Sequence, residues 1–126
     1  MKTRISWSEK LKRASDPRLV EAPANWNRGK IGGKMLIPSA HEMQEWIRQV
    51  PDGETRTVKE MRSYFAKQYD ADITCPLTSG IFLRIIAEGA EEERAAGKTD
   101  VTPYWRIVAD NGKMPPKIQA VWDRNH

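Results

Sequence analysis

Two helix-start signals of the same kind, Ser39-Ala40-His41-Glu42 and Thr57-Val58-Lys59-Glu60, constrain this chain more than any other feature. In each, the hydroxyl can accept from the amide three residues on while the glutamate reaches back to the cap amide, satisfying donors that a helix start leaves unpaired. The first signal leads into Met43, Trp46, Ile47 and Val50 at helical spacing and is closed by Pro51-Asp52-Gly53; the second leads into Val58, Met61 and Phe65. One apolar stripe per helix means that each must bury one face against a partner. A third start lies at Ile73-Thr74-Cys75-Pro76, where the proline suits a first turn whose amide would be unpaired anyway. This third helix is predicted to run toward Gly97, with Leu77, Ile81, Ile85, Ile86 and Gly89 or Ala90 on its core face and Thr78, Ser79 and Arg84 pointing outward.

Beyond Gly97 the period changes. Arg106-Ile107-Val108-Ala109 reads as a short strand and Asn111-Gly112 as a hairpin turn, although Pro115-Pro116 limits the return arm. The expected class is therefore mainly α with a small β-hairpin, ordered as a winged helix-turn-helix domain over residues 39–126. Residues 1–38 are expected to form a basic, irregular N-terminal arm, because Pro17, Pro23, Gly29, Gly32, Gly33 and Pro38 interrupt any sustained pattern. Within it, Trp7 and Leu11 can share one face of a short helix, and Met35-Leu36-Ile37 can add a brief strand.

Charge separates the same two regions. Residues 1–34 hold nine Lys or Arg against three acids, and the remainder holds twelve against fourteen, so the net +4 of the 126-residue chain resides in the arm. Such an arm can gain sequence-independent affinity for nucleic acid through counterion release, or simply solubilise. No apolar run approaches a membrane span and the start lacks a signal-peptide core, so the expected location is cytoplasmic, without a membrane partner. The single cysteine excludes an internal disulfide, and His41 and His126 make no metal-ligand spacing with it, so neither metal nor cofactor is expected. Cys75 reads as a packed cap rather than a reactive thiolate, and Glu88 with Glu91-Glu92-Glu93 as a solvated helix face. Arg56, Lys59 and Arg62 can meet phosphate or pair with Asp52, Glu54 and Glu60. Gly32-Gly33-Lys34 lacks the full spacing of a phosphate loop.

Thr102-Pro103-Tyr104-Trp105-Arg106-Ile107-Val108, followed by Asp110-Asn111-Gly112-Lys113, resembles the active-site signature of the O6-alkylguanine-DNA alkyltransferases. There Pro-Cys-His-Arg-Val supplies the cysteine that accepts an alkyl group from damaged guanine. Tyr104 stands at the cysteine position and Trp105 at the histidine position. The similarity spans Ser39 to Lys117 and is closest to the alkyltransferase-like subfamily, which binds alkylated guanine without repairing it. The strings Thr74-Cys75-Pro76-Leu77-Thr78-Ser79-Gly80-Ile81-Phe82 and Thr102-Pro103-Tyr104-Trp105-Arg106 also resemble small bacterial proteins described as MGMT-like.

A phenol with a pKa of about 10 is a poor nucleophile near neutral pH beside a thiolate. The resemblance therefore implies a non-enzymatic, nucleoid-associated protein that binds double-stranded DNA and recognises O6-alkylguanine or related damage to signal to a repair-protein partner. It implies that the third helix is the recognition element, with Pro76, Leu77, Thr78, Ser79 and Gly80 at its DNA-facing start, Arg84 farther along, and shape-led insertion into the minor groove. Arg56, Thr57 and Lys59 would meet DNA around the second helix start, and Asn111, Gly112 and Lys113 from the wing. Pro103, Tyr104 and Trp105 would line a pocket for an extruded base, with Arg106 holding that segment in place. The family's gap-filling arginine is replaced here by Thr78 or Ser79, and its tyrosine at the second helix start by Thr57-Val58, so base flipping is the weaker implication. Two other readings stand beside this one: an alkyl-transfer enzyme using Cys75, and a winged-helix adaptor or regulator without lesion specificity.

Overall fold

Thr57 organises its helix as the local pattern predicts. In the computed structural model, which describes residues 6–14, 16–29 and 31–126, its hydroxyl accepts from the Glu60 amide at 3.0 Å, and the Glu60 carboxylate accepts in return from the Thr57 amide at 3.4 Å. Ser39 makes only half of such a box. Its hydroxyl accepts from the Glu42 amide, but the Glu42 carboxylate is taken by the Tyr69 hydroxyl, which lies 2.6 Å from both oxygens.

The described chain is mainly helical, with two small sheets. Its helices are α1 (Trp7–Arg13), α2 (Ala40–Arg48), α3 (Val58–Gln68), α4 (Pro76–Ala95) and α5 (Pro116–Asn125). Its strands are β1 (Arg18–Glu21), β2 (Lys34–Ile37), β3 (Arg56–Thr57), β4 (Ile73–Thr74) and β5 (Ile107–Val108). One sheet has the order β1-β2-β4, with β2 antiparallel to β1 and parallel to β4; the other is the parallel pair β3-β5. The core lies between α2, α3, α4 and α5, where Met43, Ile47, Met61, Phe65, Leu83, Ile86, Ile107, Ile118 and Val121 are all buried.

The expectation of an irregular arm is corrected. Arg18 pairs opposite Ile37 and Glu21 opposite Lys34, so most of the prolines and glycines of this region punctuate the loop of a hairpin rather than an irregular arm. Leu36 has no exposed surface, and Met35 and Leu36 face Ile73 and Thr74 across the sheet, which builds the hairpin into the rest of the fold. Helix α1 lies on α4, with Trp7 over Gly89, where a Cβ would make only ordinary contact at 3.9 Å.

The expected hairpin around Asn111-Gly112 is also corrected. The Ala109 amide donates to the Lys113 carbonyl at 2.7 Å and the Gly112 amide to the Ala109 carbonyl at 2.9 Å, closing a compact turn. No return strand follows, because Pro115 and Pro116 cannot donate to a ladder; Pro116 instead opens α5. The ladder partner of β5 is β3, with Arg56 opposite Ile107 and Thr57 opposite Val108.

Helix α4 buries Ile86, Gly89 and Ala90 as expected, but its first turns present the opposite face to the core. Leu77 and Ile81 are 58% and 43% exposed, whereas Ser79, Leu83, Ile86, Ala87 and Ala90 are buried. Ser79 tolerates burial because its hydroxyl donates to the Cys75 carbonyl at 2.7 Å. The expected solvated acidic face is corrected as well: Glu88 and Glu91 are each 5% exposed. Both are held by cations, Glu88 by Arg124 and Arg84, and Glu91 by Arg94 at 3.2 Å and by the His126 ring at 3.2 Å when that ring is protonated.

Candidate nucleic-acid interface

Residues 103–106 form a 3-10 turn after Pro103 rather than an open pocket wall. The Tyr104 side chain has no exposed surface and belongs to the main core. Its hydroxyl donates to Glu91 at 2.6 Å, and desolvation, then this hydrogen bond and the carboxylate charge, push the phenol well above its ordinary range. The proton therefore stays on Tyr104 at neutral pH. The assignment of Tyr104 to a lesion pocket is corrected: α4 and α5 close over the ring, and its hydroxyl is already committed. Pro103 is buried too, and the half-buried Trp105 packs 5.6 Å from Trp122 and under the Arg94 guanidinium. Arg106 donates to the Val50 carbonyl at 2.8 Å and reaches Asp52 at 3.2 Å, tying this segment to the end of α2.

The other expected interface residues fall into two groups. Pro76, Leu77 and Arg84 are exposed on α4, Thr78 and Gly80 are half-buried, and Ser79 is buried. Ser79 is thus corrected as a DNA contact, since its side chain faces inward. A Cβ at Gly80 would meet nothing within 4 Å, so the surface between Leu77 and Ile81 is open. No acidic residue stands in the first turn of α4, which keeps the positive end of the helix dipole unopposed locally. Cys75 caps that turn, its buried sulfur 3.4 Å from the Thr78 amide and 3.2 Å from the Thr78 hydroxyl. That is a structural use of the sulfur, and the thiol is covered.

The second group gathers around the β3-β5 pair. Parallel strands leave the ladder at the same end, so the start of α3 and the turn at Asn111, Gly112 and Lys113 emerge side by side. All three turn residues are exposed, as is Lys59. Arg56 is already engaged, pairing with Glu54 at 3.1 Å.

Sequence reasoning missed a cleft beside α3. Its walls include Trp26, Asn27 and Arg28 from the hairpin loop, Lys59, Arg62 and Ser63 from α3, and Asp72 to Thr74 from β4 and the residue before it. The sequence did offer Lys59 and Arg62 as possible phosphate contacts, but Trp26 and Arg28, two residues apart in a loop, became walls of the same cleft only through the β1-β2 hairpin. Among the described residues, no group of three or more His, Cys, Asp or Glu is placed to hold a metal ion, and no helix is long and apolar enough to cross a membrane. Comparison with protein-family models, with curated proteins and with solved structures returns no match.

Proposed function

We propose that this protein binds duplex DNA reversibly, without a covalent step, through the first two turns of α4. In this reading α3 and α4 act as the helix pair of a winged-helix-like unit, and the turn at Asn111-Gly112-Lys113 serves as its wing. The observation that carries the reading is the outer face of α4, where exposed Leu77 and Ile81 flank the open surface over Gly80. Apolar side chains of this kind act as wedges between base steps in minor-groove binders, while neighbouring cations neutralise phosphate. Lys59 and Lys113 are exposed cations and take that role in this reading. With no acidic residue in the first turn of α4 and Arg84 exposed farther along the same helix, a polyanion is favoured over a protein partner.

Lesion capture on Tyr104 is not part of this reading, because the ring is sealed within the core. Binding is expected to be equal for an O6-methylguanine duplex and its undamaged match, with no mass added to the protein afterwards. Fluorescence anisotropy with both duplexes, followed by intact-mass measurement, tests this. Leu77→Glu with Ile81→Glu should weaken binding at least tenfold without lowering Tm. Unchanged duplex affinity in that double variant would defeat the proposal, and an added methyl group would replace it with the enzymatic alternative.

A further inference from the structure

The cleft between the hairpin loop and α3 shares only Lys59 with the duplex reading. Its chemistry is specific on its own terms. Arg28, Lys59 and Arg62 face it, and among the described residues none of the three forms an ion pair. The one carboxylate in its wall, Asp72, accepts from the Lys34 amide at 2.8 Å and is thereby tied to the backbone. Three cations against one carboxylate leave the cleft with a local charge of +2.

Two donors in the wall also lack acceptors. Asn27 is 5% exposed and its side-chain nitrogen is buried without a hydrogen-bond partner; the Arg62 Nε is buried and unpaired in the same way. Neither atom has surface open to the cleft, and the Asn27 nitrogen lies against Gly33, so the preference for an anionic ligand rests on the three cations. Trp26 supplies a different surface. It is 41% exposed and has no ring partner among the described residues, leaving an aromatic face free. The cleft volume of about 480 Å³ lies within the range of small-molecule sites, roughly 300–1,000 Å³.

A ligand that satisfies all of these features needs an anionic group with several acceptor oxygens joined to a flat, stackable ring. We infer that the cleft binds a nucleoside phosphate, the base lying on Trp26 and the phosphate held among Arg28, Lys59 and Arg62. Guanidinium groups offer paired donors suited to phosphate, and stacking on a tryptophan tolerates any base. The inference shares Lys59 with the duplex reading but does not rest on it, since it uses neither Leu77 nor Ile81. The same chemistry is offered by a free nucleotide and by an unstacked nucleotide of a single strand.

The full chain is titrated with AMP, adenosine, inorganic phosphate and a short 5′-phosphorylated oligothymidylate, by calorimetry and by amide correlation spectra. Shifts are expected in residues 26–28, 59–63 and 72–74, with adenosine and phosphate each binding at least tenfold more weakly than AMP. Trp26→Leu should weaken AMP or oligonucleotide binding roughly ten- to hundredfold, and Arg62→Gln about tenfold or more. Lys59→Gln replaces Arg62→Gln if the latter lowers Tm. A response to AMP assigns the site to free nucleotides, and a response to the oligonucleotide alone assigns it to a strand; either supports the inference. Absence of shifts with both ligands overturns it, as does binding that Trp26→Leu and the cation variants leave unchanged. The Leu77→Glu/Ile81→Glu variant should retain this response while losing the duplex, so the two proposals fail separately.

Discussion

Removing the Tyr104 hydroxyl should destabilise the fold without touching recognition. In Tyr104→Phe the ring stays in the core, and the loss is one hydrogen bond to a carboxylate, a class worth about 1.5–3 kcal/mol. Glu91 keeps Arg94 and His126 at 3.2 Å each, so it is not left unpaired and the cost should fall near 1.5–2 kcal/mol on that scale. Tyr104→Ala also empties a fully buried aromatic site, and the cavity raises the cost to about 3–5 kcal/mol. At this chain length one kcal/mol corresponds to roughly 3–6 °C in Tm, so the phenylalanine variant should melt about 5–10 °C lower. Urea and thermal unfolding at pH 7 measure the loss, and anisotropy with damaged and undamaged duplexes measures preference on the still-folded fraction. Both variants should lose stability while the ratio of the two affinities stays at that of the parent. If Tyr104→Ala instead kept its Tm and lost a preference for damaged DNA, the ring would have to occupy an open pocket, and the assignment of this segment to the core would be wrong.

Thr57→Ala removes the hydroxyl that caps α3 and should cost about 1 kcal/mol, measured as a fall in the urea midpoint with an unchanged slope; no fall would mean that the box contributes nothing. Gly33→Ala forces a Cβ against the Asn27 side chain and to within 2.9 Å of the Asp72 carboxylate, so it should destabilise by roughly 1–3 kcal/mol and disturb the amide signals of residues 26–28; an unaffected melt would show that the loop yields freely. Alkaline stability gives a third check. Tyr69 is raised from 10.0 to about 12, first by its hydrogen bond to Glu42 and then by desolvation, and Tyr104 is raised further, first by desolvation. Folded phenols that hold their protons more tightly than unfolded ones stabilise fully below pH 10.0, and that stabilisation is lost as pH rises, from 10.0 to about 12 for Tyr69 and from 10.0 to beyond that for Tyr104. Unfolding free energy should fall across this window, less steeply in Tyr69→Phe, and a flat profile would contradict both hydrogen bonds.

The elements that could be read from the chain are those decided by neighbours in sequence. Thr57 and Glu60 are three residues apart, and Pro76 needs only its own missing amide hydrogen, so the starts of α3 and α4 were accessible to local reasoning. The phase of α4 was not. Ile86 and Ala90 are buried as read, but at the helix start Leu77 and Ile81 recur at helical spacing as readily as Ser79 and Leu83, and the turn of the Ser79 hydroxyl onto the Cys75 carbonyl lets the pair with a polar member go inside. Glu88 and Glu91 look like surface residues for the same reason. Their partners Arg124, Tyr104 and His126 lie far along the chain, and no local pattern announces them. The hairpin loop was hidden by its composition: prolines and glycines that punctuate a connection between paired strands look identical to those of an irregular arm until Leu36 is seen against Thr74.

These non-local contacts also decide which parts of the surface can bind anything. Carboxylates at Glu88 and Glu91 face the core side of α4 and draw in Tyr104, the His126 ring and the Arg124 guanidinium, so the segment that resembles a reactive centre becomes the strut joining α4 to α5. Once that face of α4 is committed to the interior, Leu77 and Ile81 have nowhere to go but outward, despite their preference for burial. The exposed apolar groups at the start of α4 are thus a result of how the rest of that helix packs. A variant that relaxed the buried carboxylates, Glu91→Gln for instance, should loosen α5 and lower Tm while leaving the outer face of α4 in place. Recognition would then survive until the melt, and that order of events separates a surface that binds from a core that only positions it.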